Sequence, residues 1–368
     1  MNTVKFIGMD VHKKTITIAI IDKGRNQQPR IYGTIENRLE ALDKFCRKML
    51  STTSRLHFVY EAGPCGYGIY RHLTQKGFDC VVAAPSMIPK KSADRIKNDR
   101  RDAAMLARLH RSGELTAVYV PDAQDEAMRD LTRAREDAVI AARKAKQRLN
   151  AFLLRNGLTF AGRSKWSNAF FNWLCDMAMP YPAQQVALQE YIDTVHENLK
   201  RVERLTDQIR QLVPAWRLAP VVSALQAARG VSLIVAATVL AELGDLSRFD
   251  KACQLMAHLG LVPSEHSSGE SIKKGTITKT GNGHVRKALV EAAWAYRMPA
   301  RVSSSLLKRQ QAVPERVCQI AWKAQLRLCT RFRRLRARGK TKQKVVIAIA
   351  RELSAFLWAM AKQLQPVV

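Results

Sequence analysis

At 368 residues the chain is long enough for two or three domains, each with its own core, since single cores seldom grow past about 250 residues. Seven scattered cysteines without a C-x-x-C pair, and no H-E-x-x-H, exclude a disulfide framework and a zinc site, and no stretch of about 18 uncharged apolar residues can span a bilayer. A net charge of +30, from 61 Lys and Arg against 31 Asp and Glu, demands a polyanionic partner, nucleic acid before an anionic membrane surface.

These features fit a soluble protein of the reducing cytoplasm, and the start lacks the apolar core of a signal peptide. The first 120 residues read as α/β. Strands are expected at 4–10, 15–21, 30–35, 57–61 and 79–84, the first two joined by a "VHKK" turn. "NRLE" (Asn37, Glu40) has the spacing of a capping box opening a helix with the apolar stripe Leu39, Leu42, Cys46, Met49. Further helices follow "GPCGYG" and begin near Asp99. Three strands in a meander followed by strands alternating with helices predict a mixed sheet with its first strand central, and the apolar run "VKFIGM" suits burial on both faces.

From 122 to 156 the period becomes helical, with Met128, Leu131, Ala138, Ala142, Ala145, Leu149 and Phe152 at three-four spacing. It returns from 184 to 213 with Leu188, Ile192, Val195, Leu199, Val202, Ile209 and Val213. Two such stretches flanking the turn-rich segment 157–182 predict an antiparallel hairpin or coiled coil, an arm roughly 45 Å long serving as spacer and oligomerisation element. From 216 on the chain reads as all-helical with loops. "VVSALQAARGVSLIVAATVLAELG" is a helix, a Gly230 turn and a helix, and a Gly, Ser, Thr and Lys-rich loop of some twenty residues precedes a helix near His284. The expected domains are 1–120, 121–215 and 216–368.

The charge excess belongs mainly to residues 216–368, which hold 26 basic and 8 acidic side chains. No carboxylate lies between Glu315 and Glu352, a gap that contains "LRLCTRFRRLRARGKTKQK". Like charges at helical spacing repel one another, and phosphates relieve them. Arg331, Arg333, Arg334, Arg336 and Arg338, with Lys273, Lys274, Lys279 and Arg286 of the long loop and the helix after it, are the candidate nucleic-acid contacts. Stacking residues are not interleaved with them, so binding through phosphates is expected.

Four carboxylates stand out. Asp10 ends the first strand, Glu61 ends the fourth in "HFVYEAGPCG", and Asp99 and Asp102 share a face at a helix start in "KNDRRDAAMLARL". Strand ends beside a topological switch are where open sheets build sites. Gathered there, the four would repel one another unless a hard cation, Mg²⁺ or Mn²⁺, neutralised them. Two such ions about 4 Å apart can stabilise both oxygens of an in-line phosphoryl displacement. Each residue also has a plainer role: Asp99 as N-cap, Asp102 in the first helical turn, Asp10 capping the hairpin, and Glu61 in an ion pair.

"GMDVHKK", "YEAGPCGYGIYRHL" and "KNDRRDAAMLARL", followed in order by "GLVPSEHSSG" and "TKTGNGHVRKALVEAAW", closely resemble the DEDD transposases of the IS-one-ten insertion-sequence family, most of all its IS-eleven-eleven branch. The resemblance covers nearly the whole chain. It implies a RuvC-like (RNase H fold) N-terminal domain with the DEDD set on Asp10, Glu61, Asp99 and Asp102, a coiled-coil arm, and a C-terminal transposase domain. It further implies a serine nucleophile at Ser268 of the "SSG" motif, with Ser267 adjacent, forming a phosphoserine link to DNA. Such a site would be composite and the protein at least a dimer, a homodimer or homotetramer. A structured RNA encoded by the element would select target and donor DNA by base pairing. The location would be bacterial cytoplasm, at the nucleoid. The rival readings are a metal-dependent junction nuclease in which water attacks, an actin-like or sugar-kinase-like ATPase, whose second phosphate loop is missing, and a non-catalytic nucleic-acid binder.

Overall fold

A computed structural model describes residues 4–24, 26–52, 55–89, 98–268, 271 and 273–364. The chain forms two compact units, Met1–Val120 and Pro121–Val368.

The first unit is a five-stranded mixed sheet of β1 (Val4–Val11), β2 (Thr15–Asp22), β3 (Arg30–Glu36), β4 (Arg55–Glu61) and β5 (Asp79–Ala83), in the order β3-β2-β1-β4-β5. The central strand β1 runs antiparallel to β2 and parallel to β4. Side chains alternate across a strand, so the two faces of β1 can be read separately. Ile7 and Met9 pack with Leu42, Phe45 and Cys46 of α1 (Leu39–Leu50) and with Ile69 and Leu73 of α2 (Gly68–Gln75). The opposite face carries Gly8, and α3 (Asp99–Ser112) lies directly on it. A Cβ on Gly8 would stand 2.1 Å from the Ala103 carbonyl oxygen and 2.5 Å from the Ala107 nitrogen, so only glycine admits α3 at this depth.

The expected capping box at Asn37 and Glu40 does not form. The N-cap of α1 is Arg38, without a side-chain cap, and Asn37 Nδ2 instead donates to the His12 carbonyl at 2.7 Å. That bond ties the helix entry to the β1–β2 turn. The stripe is also shifted: Leu39 is 43% exposed, and the buried face is Leu42, Phe45, Cys46 and Met49.

In the second unit α4 (Ala123–Arg155) and α6 (Pro182–Leu212) pack along one another. Leu149, Phe152 and Leu153 meet Leu188, Ile192 and Val195, and α5 (Asn168–Cys175) closes the tip with Phe170 and Leu174. The small Ala138, Ala142 and Ala145 are all buried along α4. Met128, Ile209, Val213 and Trp216 join the opposite end of the pair to a larger core. That core is built by α7 (Ala219–Gln226), α8 (Leu233–Leu243), α9 (Ala252–His258), α10 (Gly283–Ala293), α12 (Glu315–Ala337) and α13 (Lys342–Ala361), and α11 (Ser304–Gln310) packs against α7. Gly230 makes the α7–α8 turn at φ +81°, with its Cα hydrogens against the Ala292 carbonyl oxygen of α10.

The unit is not wholly helical. β6 (Pro263–Glu265) and β7 (Lys274–Ile277) form an antiparallel hairpin where a long loop was expected, their strands too short to show a period.

Candidate active site and nucleic-acid contacts

By alternation Asp10 falls on the face of β1 that carries Gly8, the face covered by α3. On α3, Asp99 lies one and two turns before Ala103 and Ala107, the residues that touch Gly8, and Asp102 shares that side of the helix. The close approach at Gly8 therefore delivers the first turn of α3 to the end of β1. Asn98, whose side chain accepts from Arg101 N at 2.9 Å, is the N-cap, so the capping role expected of Asp99 is already filled.

His12 completes the group. Its Nε2 is 3.2 Å from Asp10 Oδ2 and 3.6 Å from Asp99 Oδ1, and one ligand atom from each of the three residues lies within 4.8 Å of the others. Burial pushes the Asp10 carboxyl above the ordinary carboxylate range, His12 opposes the shift, and Asp99 and Asp102 reinforce it by repulsion. A carboxylate in this position is stabilised by a cation, and the donor set of carboxylate oxygens with one imidazole nitrogen fits a divalent ion.

Glu61 stands at the end of β4, exposed, and lines with Asp10, His12 and Lys13 a cleft of about 780 Å³ whose other wall is the Ala62–Cys65 loop. It is in no tight ligand cluster and no ion pair among the described residues. Asp10, Asp99 and Asp102 thus converge, and Glu61 faces the same cleft from a neighbouring strand. Sequence reasoning missed His12, although its D-x-H spacing across a hairpin turn was visible.

In the second unit Ser268 sits at the exposed tip of the β6–β7 hairpin, its backbone exchanging two 3.1 Å hydrogen bonds with Ser271. Gly269 of the "SSG" motif lies outside the described residues. The Ser267 hydroxyl donates to Glu265 Oε1 at 2.9 Å, whereas the Ser268 hydroxyl has no partner among the described residues. Two tight backbone crossings seat the hairpin. A Cβ on Gly260 would lie 2.3 Å from the Thr280 oxygen, and one on Gly281 would lie 1.9 Å from the His258 oxygen. Between these crossings Lys279 is held at φ +57°.

Lys273, Lys274 and Lys279 are exposed around this hairpin. Arg286 is not free in the same way: its guanidinium donates to the carbonyls of Leu259 at 3.0 Å and Thr280 at 2.6 Å, clamping the two crossing segments. On α12, Arg333, Arg334, Arg336 and Arg338 are exposed, and Arg336 donates to the Lys340 carbonyl. Arg327, Arg331, Arg334 and Arg338 recur at helical spacing along a groove of about 490 Å³. Glu352 of α13 holds Arg327 and Arg331 by their Nε atoms at 2.8 Å each.

Comparison with known proteins decides the family. A family model described as a transposase of DEDD IS110 type matches residues 7–156, and the transposase IS116/IS110/IS902 family model matches residues 222–306. A Sinorhizobium fredii relative designated y4qE is 46% identical over 97% of this chain and 88% of its own length. The chain belongs to the IS110 family of transposases. The transposase for insertion sequence element IS1533 of Leptospira borgpetersenii is 31% identical over 91% of this IS110-family chain and 97% of its own. That for IS1111A of Coxiella burnetii is 25% identical over 80% and 78%. The protein is thus an insertion-sequence transposase, an enzyme that cuts and recombines DNA. Its first family match takes in Asp10, Glu61, Asp99 and Asp102, and its second takes in Ser268. Among the described residues no helix is long and apolar enough to cross a membrane.

Proposed function

We propose that this transposase acts through Asp10, Glu61, Asp99 and Asp102 as holders of Mg²⁺ or Mn²⁺ and through Ser268 as a nucleophile that becomes covalently attached to a DNA end. The convergence of Asp10 and Asp99 on His12, with Asp99 relieved of capping by Asn98, carries the reading. When bound, such a cation supplies Lewis-acid stabilisation of the charge on the transferring phosphoryl oxygens.

The chain's own residues do the rest. Ser268 Oγ forms a bond to phosphorus and loses its proton, while the bond from phosphorus to one deoxyribose oxygen breaks and that oxygen is protonated. The exposed position of Ser268, whose hydroxyl has no partner among the described residues, favours it over Ser267, whose hydroxyl is engaged by Glu265. Lys273, Lys274 and Lys279 hold the phosphates beside it, and Arg331, Arg333, Arg334 and Arg338 hold those further along. Arg286 acts instead as an internal clamp.

On this reading residues 1–120 are a RuvC-like domain, 121–215 a coiled-coil arm that joins subunits of a homodimer or homotetramer, and 216–368 the domain bearing the nucleophile. A structured guide RNA encoded by the element chooses the DNA, in keeping with the +30 charge. The test is recombination between two plasmids, one carrying the whole element, in cells expressing wild type, Asp10→Asn or Ser268→Ala. Both variants are expected to abolish junction formation. Recombination at the wild-type level in either would remove that residue from the mechanism, and strand cleavage that persists in Ser268→Ala would favour attack by water.

A further inference from the structure

We propose that the His12 imidazole is an inner-sphere ligand of the cation held by Asp10 and Asp99, and that this nitrogen donor tilts the site toward Mn²⁺ over Mg²⁺. This role rests on the metal-binding part of the function proposed above. It adds a residue that the four-carboxylate motif lacks.

The distances suit it. Neighbouring ligands of an octahedral ion with bonds of about 2.1 Å lie about 3 Å apart. The Nε2 of His12 is 3.2 Å from Asp10 Oδ2 and 3.6 Å from Asp99 Oδ1, so small adjustments bring all three atoms onto one ion.

The imidazole is also presented by an ordered turn. His12 N donates to the Thr15 carbonyl at 2.8 Å, and Asn37 Nδ2 donates to the His12 carbonyl at 2.7 Å. Asn37 spends its side chain on this bond rather than on capping α1. These two backbone bonds fix the turn from which the imidazole projects.

The choice of residue is informative. Lys13 and Lys14 directly follow His12, yet among the described residues neither pairs with Asp10 or Asp99. If the carboxylates needed only neutralisation, an ammonium group would serve. The place beside both is held by a side chain that can ligate. Mg²⁺ sheds water reluctantly and prefers oxygen, whereas Mn²⁺ accepts carboxylates and imidazole together.

The full-length protein loaded with Mn²⁺ alone is the probe. Pulsed electron paramagnetic resonance is expected to show ¹⁴N coupling from a coordinated imidazole, which His12→Gln removes. By calorimetry the same variant is expected to bind Mn²⁺ about tenfold more weakly, a change of about 1.4 kcal/mol, with Mg²⁺ affinity nearly unchanged. Asp10→Asn is expected to weaken both ions. Mn²⁺ bound to the wild type without nitrogen coupling, or equal losses for the two ions in His12→Gln, would overturn the ligand role and leave the carboxylate site standing. Failure of the wild type to bind Mn²⁺ at all would overturn both.

Discussion

His12 Nε2, in the β1–β2 turn, lies 3.6 Å from Asp99 Oδ1 at the first residue of α3. A hairpin turn and a helix start, far apart in sequence, meet over the end of the central strand. Gly8 governs how closely they meet.

Gly8→Ala is therefore expected to cost about 1–3 kcal/mol by overpacking, because the new methyl meets backbone atoms of α3 that cannot rotate away. Displacing α3 also carries Asp99 and Asp102 from Asp10, so divalent-ion affinity should fall with stability. Gly68→Ala, with nothing within 4 Å of the added carbon, is the control and should shift stability by less than about 0.5 kcal/mol. Thermal melts and Mn²⁺ titration of the two variants check the contrast.

Because burial and like charges disfavour the ionised Asp10 carboxyl, a cation bound there should stabilise the fold. At a concentration 100 times its dissociation constant the gain is about 2.7 kcal/mol, provided the unfolded chain does not bind. Differential scanning fluorimetry with and without Mn²⁺ should show a higher melting temperature for the wild type and little change for Asp10→Asn.

The first unit was largely legible in the sequence because β2 and β4 hold near-continuous buried apolar runs and its strands end in turn residues. The mixed sheet and the central place of β1 followed from a meander succeeded by alternation. The long helices were legible through Leu149, Phe152, Leu188 and Ile192, which hold a three-four period over many turns. What escaped depended on tertiary context. Asn37 had the spacing of a cap but found a better acceptor in the His12 carbonyl. Asp99 looked like a cap, but Asn98 took the position. The hairpin that carries Ser268 has strands of three and four residues, held by glycine crossings at 260 and 281 that no periodicity announces. Of the candidate site, the three converging aspartates were readable as types at strand and helix ends. His12 was visible only as D-x-H spacing, because its second partner, Asp99, reaches it through the packing of α3.

A second buried carboxylate gives a prediction about acid stability. Glu242 of α8, its side chain 1% exposed, accepts from both Arg133 Nε at 2.7 Å and Asn282 Nδ2 at 2.6 Å. Burial alone would raise its carboxyl, but these hydrogen bonds and the charges of Arg133 and Arg129 bring it below the ordinary range. The resulting stability is present above about pH 4.3 and is lost as the pH falls through the lower folded value. Glu242→Gln should flatten the acid limb of the unfolding midpoint against pH. Glu242→Ala should cost about 3–5 kcal/mol, because it removes the carboxylate facing the largely buried Arg129 at 3.8 Å.

Arginines along α12 should bind phosphates in proportion to their number. Arg334→Ala or Arg338→Ala is expected to reduce the magnitude of the slope of log affinity against log salt by about 0.9 each, uniformly across DNA sequences. Arg286→Ala should leave that slope unchanged and lower the melting temperature, since its donors are spent on the Leu259 and Thr280 carbonyls. Fluorescence anisotropy on duplex DNA at several salt concentrations separates the two behaviours.

The central claim, a carboxylate-held cation serving a serine nucleophile, is tested most directly by mass spectrometry of the transposase after incubation with DNA of the element's ends, its transcript and Mg²⁺ or Mn²⁺. The account predicts a nucleotide-bearing peptide with the phosphodiester on Ser268, absent from Ser268→Ala, from Asp10→Asn and from wild type treated with chelator. Cut DNA with no covalent peptide, or an adduct at Ser268 that forms equally well in Asp10→Asn, would contradict it.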